Sequence, residues 1–210
     1  MPNEKIKSFK IINPGCNYIF VGSSTTKHSK EMGYPYINKI TKGNRNRSPL
    51  WVILDKYFYP QQEGEFGKIE KEYRNASEKN RKKIKCKMNE VLKNCSIGLM
   101  DMVKSCRFNN DVGKNNDANI NLNRLKYNKI KKLKSDEIVL IINGGENPSD
   151  KKEKLITGFL EQNKLNNIVG EQIININCLR QMKVTVEKIP NIFGHNKHSE
   201  ILKILKSIFN

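Results

Sequence analysis

Four short runs of apolar, largely β-branched residues predict buried β-strands. They span residues 18–22 (YIFVG), 95–99 (CSIGL), 138–143 (IVLIIN) and 184–189 (VTVEKI). Glycine, asparagine or proline lies at or beside the end of each run, and these residue types commonly terminate strands. The four runs are too short to be membrane spans and too continuous to be half-exposed edge strands, so a buried sheet is expected.

Helical patterns separate the apolar runs. Apolar side chains recur at helical spacing in residues 49–58 and again in residues 199–209, where Ser199 is a candidate N-cap. A long basic segment, residues 68–93, is also predicted to be helical, with most of its lysines on a solvated face. The polar, Asn-rich stretch 107–120 predicts a loop.

Strands that alternate with helices predict a parallel sheet covered by helices on both faces. We therefore expect a single domain over residues 1–210. Its fold class should be α/β, a three-layer α/β/α sandwich with a central, mainly parallel four-stranded sheet. In such sheets ligands bind beyond the carboxyl ends of the strands. The segments that follow the four strands are therefore where a functional site is expected.

The chain is strongly basic, with 39 Lys and Arg against 21 Asp and Glu and a formal charge of +18. A surplus of this size favours a polyanionic partner, because each phosphate that a cation neutralises releases condensed counterions. Charge alone does not distinguish DNA from RNA or from an anionic membrane. A lysine-rich solvated surface would give the same count.

Membrane insertion, secretion and metal binding are not expected. No apolar run approaches the roughly 20 residues that span a bilayer, and residues 1–10 lack the apolar segment of a secretory signal. The five cysteines form no C-x-x-C pair, which argues against disulfides and zinc, and His195 and His198 have no acidic partner nearby in the sequence. A cytoplasmic (nucleoid-associated) or nuclear location follows as an expectation, with no metal and no cofactor.

The segments after the strands carry the candidate chemistry. The first is GSSTT, in which Gly22 permits close backbone approach and the following residues add hydroxyls, although an ordinary turn would look the same. Asp101 follows the second run and is either a helix N-cap or a polar group in the cleft, the cap being favoured on local grounds. Asn143 and Pro190 follow the third and fourth runs.

Four sequence blocks occur in a fixed order: GSSTT, SIGLMDMVKSCR, IING and IPNIFG. Together they resemble the uracil-DNA glycosylase superfamily, and most closely its hypoxanthine (deoxyinosine) and mismatch-specific uracil/thymine branches. The second block is the most specific match, and the likeness extends over residues 16–209. The matching residues of the first two blocks are Gly22, Ser23, Ser29, Gly33, Tyr36 and Trp51, and then Ile97, Gly98, Leu99, Asp101, Val103, Ser105, Cys106 and Arg107.

The resemblance implies a monofunctional DNA glycosylase that acts on a flipped-out deaminated or modified base, hypoxanthine or uracil first, in duplex or single-stranded DNA. It implies a monomer that needs no cofactor. The implied catalytic residues are Asn46, with Asn44 and Asn38 as alternatives, and Ser24. The implied base-binding residues are Gly22, Ser23, Tyr36, Asp101 and Asn143. The implied DNA-binding residues are Pro190, Asn191, Phe193, Gly194, His195 and Lys197.

Several positions depart from the family pattern. Thr25 stands where the family has proline, and Ser24 stands where the mismatch-specific branch has its catalytic asparagine. Ile192 and Phe193 replace the usual serine of the last block. Two alternatives stay open, of which the departures favour the first and the second is the weaker. The chain could be a DNA-binding protein that retains the glycosylase fold without its activity, or an α/β hydrolase or transferase of free nucleosides. The basic surplus argues against the second, because a small substrate needs no broad cationic face.

Overall fold

The computed structural model of the chain describes residues 5–24, 27–37, 48–109, 114–115, 120–127, 137–177, 180–192 and 197–209. The strands are β1 (Lys5–Lys7), β2 (Lys10–Ile11), β3 (Tyr18–Gly22), β4 (Ile97–Asp101), β5 (Val103–Asn109), β6 (Lys114–Asn115), β7 (Asn121–Leu122), β8 (Glu137–Asn143), β9 (Gly170–Asn177) and β10 (Arg180–Ile189). The helices are α1 (Lys27–Met32), α2 (Pro49–Phe58), α3 (Glu65–Asn75), α4 (Glu78–Asn94), α5 (Asp150–Gln162) and α6 (His198–Phe209).

The main sheet has six strands in the order β2-β4-β3-β8-β10-β9. Its four central strands are parallel to one another. They are the four predicted strands, although the second begins and ends two residues later than predicted. An antiparallel strand is added at each edge, β2 beside β4 and β9 beside β10. The predicted α/β fold with a mainly parallel central sheet is confirmed, and the two added strands widen the sheet from four to six.

Helices cover both faces of the main sheet, as alternation along β3 shows. Phe20 faces the side covered by α2, α3, α4 and α6, whereas Ile19 and Val21 face the side covered by α5. All three side chains are fully buried. Burying apolar side chains in this way contributes about 1.5–3 kcal/mol for each large one. The central sheet is therefore held rigidly between two apolar layers, which fixes the positions of its strand ends.

A second, antiparallel sheet packs β5 between β1 and β7, and β5 also pairs with β6. The predicted loop over residues 107–120 is therefore wrong for residues 107–109, which belong to β5, and for residues 114–115, which form β6. Polar sequence is compatible with strand where neighbouring strands satisfy the backbone, so strand pairing overrides the local pattern here. Residues 110–113 and 116–119 lie outside the described residues.

The basic segment 68–93 is helical but not continuous. It is divided between α3 and α4 by Ala76 and Ser77, which cap the two helices with extended backbone. One face of α3 is buried and carries an ion pair between Glu70 and Arg74, 3.6 Å apart. The backbone N–H of Ser48 donates to the Glu70 carboxylate (2.9 Å). This contact fixes the start of α2 against α3.

The last helix begins one residue before the predicted cap. Ser199 lies inside the first turn of α6, so its prediction as an N-cap is wrong. The backbone N–H of Ile201 donates to the Lys197 carbonyl (2.9 Å), which makes that carbonyl the first acceptor of the helix. In the described part of the chain, no helix combines the length and the apolar character needed to cross a membrane.

Candidate active site

The carboxyl ends of the four parallel strands meet at a pocket of about 250 Å³, here called the strand-end pocket. Gly22 ends β3, Asp101 ends β4, Asn143 ends β8, and Asn191 follows β10 by two residues. This convergence is what parallel strands require, because their carboxyl ends share one edge of the sheet. The complete described lining is Phe9, Gly22, Ser23, Ser24, Ser29, Pro35, Tyr36, Asp101, Asn143, Lys152 and Asn191.

Seven of the predicted site residues therefore lie at one pocket: Gly22, Ser23, Ser24, Tyr36, Asp101, Asn143 and Asn191. Pro190 is buried directly before Asn191. Lys197 lies at the start of α6 and pairs with Glu200 (2.8 Å), and this hydrogen bond raises the pKa of Lys197. Six of the predicted residues lie outside the described residues: Asn38, Asn44, Asn46, Phe193, Gly194 and His195.

Asp101 is a buried carboxylate held from two directions. Its Oδ2 accepts a hydrogen bond from the backbone N–H of Phe9 (3.0 Å), and its own N–H donates to the Phe9 carbonyl (3.2 Å). Its carbonyl accepts from the side-chain amide of Asn123 (2.6 Å). The interpretation of Asp101 as a helix N-cap is wrong, because β5 rather than a helix follows it. The carboxylate is instead a fixed acceptor at the pocket.

Asn143 ties two of the converging segments together. Its Oδ1 accepts a hydrogen bond from the backbone N–H of Ile192 (2.8 Å), so the segment after β10 is held against the end of β8. The residue is 6% exposed. A buried amide with a fixed oxygen presents its nitrogen in a defined direction, which suits it to position a neighbouring group.

Tyr36 packs its ring in the core, whereas its hydroxyl borders the pocket. The residue is 8% exposed, and its backbone φ of 56° is in the left-handed region that a bulky residue rarely adopts. No described residue forms a hydrogen bond with the buried hydroxyl. Burial, and then the charge of Asp101, raise the pKa of Tyr36 well above its ordinary value. The hydroxyl therefore stays protonated and is able to donate to a ligand.

Gly22 is required by this arrangement. A Cβ added to Gly22 would lie inside 3.0 Å of the Tyr36 hydroxyl oxygen, a distance that real Cβ atoms essentially never show, and 3.5 Å from Asp101 Oδ1. Gly22 therefore lets strand β3 approach the tyrosine and the carboxylate closely. A residue with a Cβ at position 22 would not leave room for Tyr36 and Asp101 at their present distances.

Replacing Gly22 by alanine is expected to destabilise the fold by about 1–3 kcal/mol, because the added methyl overpacks the site. Adding Tyr36→Phe in the same chain should recover part of this loss, since it removes the closest atom. The free energy of unfolding from denaturant titration measures both effects. The control is Gly158→Ala in α5, where the nearest atom to a new Cβ is 3.3 Å away and alanine favours a helix. No loss with Gly22→Ala, or no recovery in the double variant, would contradict the packing.

Lys152 is a pocket residue that the sequence analysis missed. It lies in the first turn of α5, lines the pocket and is half-buried. No residue of the described ranges forms an ion pair or a hydrogen bond with its ammonium, and burial lowers the pKa of Lys152. Its Nζ packs against Gly144, where an added Cβ would contact it. No local signal marks this residue among the 39 Lys and Arg of the chain.

The chemical character of the strand-end pocket follows from these contacts. Near Gly22 the pocket has the Asp101 carboxylate as an acceptor and the Tyr36 hydroxyl as a donor, and near Gly144 it has the Lys152 ammonium. The volume is slightly below the ~300–1,000 Å³ typical of drug-sized ligand sites. The arrangement suits a small polar ligand that carries both donors and acceptors.

Comparison with known proteins supports only the fold. No protein-family model matches the sequence, and no curated protein is significantly similar to it. A solution NMR structure from Methanosarcina acetivorans, described as a "putative Uracil DNA glycosylase", matches over 99% of this chain and 100% of its own, with a TM-score of 0.50 and 14% identity. The chain therefore has a uracil-DNA-glycosylase-like fold.

Proposed function

We propose that this protein is a monofunctional DNA glycosylase that hydrolyses the N-glycosidic bond of a deaminated or otherwise modified base, with hypoxanthine and uracil as first choices. The observation that carries the proposal is the convergence of Gly22, Asp101, Asn143 and Asn191 on one small pocket at the carboxyl edge of the sheet. The glycosylase-like fold and the charge of +18 are consistent with it.

Base recognition is assigned to Asp101 and Tyr36. A base inside a duplex is shielded by stacking, so the nucleotide must be extruded into a pocket at a cost of a few kcal/mol. The Asp101 carboxylate would accept a hydrogen bond from the ring N–H that both hypoxanthine and uracil carry. The Tyr36 hydroxyl, which has no partner among the described residues, would donate to the base or close off its edge. Backbone N–H groups of Ser23 and Ser24 would meet a base oxygen.

Charge stabilisation is assigned to Lys152. Breaking the glycosidic bond leaves negative charge on the departing base and positive charge on the sugar. A cation fixed in a half-buried pocket stabilises the departing base more strongly than the same cation in water would. The Lys152 ammonium has no carboxylate partner in the described structure that would compete for its charge.

The attacking water is assigned to Asn46, with Asn44 and Asn38 as alternatives and Ser24 as a further candidate. The described chain stops at Ile37, directly after Tyr36 of the pocket, and resumes at Ser48. In the sequence, Asn38 is two positions after Tyr36, and Asn44 and Asn46 are four and two positions before Ser48. An amide can hold a water through one donor and one acceptor, which is what directing it at the sugar requires.

The second candidate function is DNA binding without catalysis. It is favoured by Ser24 and Thr25, which stand where the resembling family has its catalytic asparagine and its proline. The pocket would then recognise a modified base and hold it. Catalysis and recognition are separated by one measurement, the appearance of an abasic site.

The test is a base-release screen on single- and double-stranded oligonucleotides that carry deoxyinosine, deoxyuridine or other modified nucleotides. We expect abasic-site formation on deoxyinosine or deoxyuridine, and a reduction of about 10²-fold or more for Asn46→Ala. Asn44→Ala and Asn38→Ala are matched controls that separate the three candidates. Tight binding without release would support the second function. No release from the whole panel by a folded sample would refute the glycosylase proposal, and release from free nucleosides alone would indicate a nucleoside hydrolase.

A further inference from the structure

A second concave surface, here called the basic groove, lies beside the strand-end pocket and has a volume of about 630 Å³. Four cationic side chains line it: Lys10 of β2, Lys104 of β5, and Arg124 and Lys126 after β7. The remaining described lining consists of apolar residues and amides, with no Asp or Glu. Such a groove carries uncompensated positive charge, whereas the charged surface of α3 and α4 includes carboxylates such as Glu72, which pairs with Lys87.

The cations of the basic groove are held together rather than scattered. The Lys10 ammonium donates a hydrogen bond to the Arg124 carbonyl, so these two segments are fixed against each other. Partial burial, and then the charges of Lys126 and Lys104, lower the pKa of Lys10. Neighbouring cations that lower one another's pKa repel each other, so an anion that binds between them stabilises their charged forms.

The basic groove is connected to the strand-end pocket through two residues. Asn123 lies in the groove, and its side-chain amide donates to the Asp101 carbonyl (2.6 Å). Lys10 directly follows Phe9, which lines the pocket and donates its N–H to the Asp101 carboxylate (3.0 Å). The two concave surfaces are therefore neighbours, with Asp101 and the Phe9–Lys10 segment between them.

We propose that the basic groove binds the sugar–phosphate backbone of the nucleic-acid strand that continues from the nucleotide in the strand-end pocket. The identification of the ligand as nucleic acid rests on the proposed function. The shape of the groove favours a nucleic-acid strand over a membrane. Phosphates are spaced along a narrow strand, which fits a concave surface better than a flat lipid surface does. Backbone contacts of this kind position a strand without selecting its sequence.

The test compares two double variants that each remove two positive charges. Lys104→Gln with Lys126→Gln alters the groove, and Lys79→Gln with Lys82→Gln alters exposed positions of α4. Fluorescence anisotropy with a labelled single-stranded oligonucleotide, from 50 to 200 mM salt, gives the slope of log K against log salt concentration. Two lost phosphate contacts should reduce the magnitude of that slope by about 1.4 in the groove variant. The α4 variant should keep a slope close to that of the wild type.

Equal changes in the two variants would overturn the proposal, because the general field of the protein would then account for binding. An unchanged slope in the groove variant would overturn it as well, and so would a larger loss of binding to phosphatidylserine vesicles than to the oligonucleotide. Thermal unfolding confirms that both variants fold. Base release is measured separately on the same samples. If the slope changes only in the groove variant but the wild type releases no base, the glycosylase activity is refuted and the proposal that the groove binds the strand still stands.

Discussion

Replacing Asp101 by asparagine is expected to lower the rate of hypoxanthine or uracil release by about 10²–10³-fold while the protein remains folded. The carboxylate has two acceptor oxygens, and one of them accepts from the Phe9 N–H. An amide has a single oxygen, which is unable to serve both Phe9 and a ring N–H of the base. Its NH₂ group would face the ring N–H as a second donor, and two donors that face each other repel.

Single-turnover release measures this effect, and denaturant unfolding checks the fold. Asp101→Ala is the comparison variant: it leaves the Phe9 N–H without a side-chain acceptor and should cost about 1–3 kcal/mol of stability in addition to activity. The asparagine variant should also shift preference toward bases that present a ring acceptor in place of the N–H, such as adenine and cytosine. Release of hypoxanthine and uracil at the wild-type rate would show that Asp101 does not contact the base.

The parallel core of the sheet could be predicted from the sequence because burial on both faces leaves a continuous apolar run. Residues 18–22 form β3 with the predicted bounds. The second strand ends two residues beyond its predicted end, because Asp101 interrupts the apolar pattern although it is buried in the strand. A polar group that is satisfied by tertiary hydrogen bonds gives no local strand signal.

The edge strands and the small sheet could not be predicted in the same way. β2 has two residues and β7 has two, so neither has a periodicity to detect. Their pairing depends on partners far away in the sequence, such as Lys10 of β2 with Met100 of β4. Strand pairing is set by cross-strand neighbours more than by local preference.

The same distinction explains the site. Gly22, Asp101 and Asn143 could be predicted as pocket residues because the position of a strand end follows from topology alone. Lys152 could not, because its place depends on how α5 packs against the sheet. The basic groove could not be predicted either, since Lys10 and Arg124 are 114 positions apart and meet only in the folded chain.

Replacing Lys152 by methionine is expected to lower kcat for base release by about 10–100-fold with a smaller change in KM, because the ammonium acts on charge that develops during bond breaking. Methionine keeps the apolar stem in place, so the fold should be retained. Lys154→Met, at an exposed position of the same helix, is the matched control and should leave kcat unchanged. A loss confined to KM would instead indicate that Lys152 binds the ground state.

The pH dependence gives a second, independent test of Lys152. The ammonium is present below its pKa and lost above it, and burial lowers the pKa of Lys152 from the ordinary 10.5. Base release by the wild type should therefore fall as the pH rises through a value below 10.5. Lys152→Arg keeps its charge throughout this range and should abolish the alkaline decline. A single-stranded substrate is used so that duplex melting at high pH does not affect the rate. Persistence of the decline in the arginine variant would assign it to another group and remove Lys152 from the mechanism.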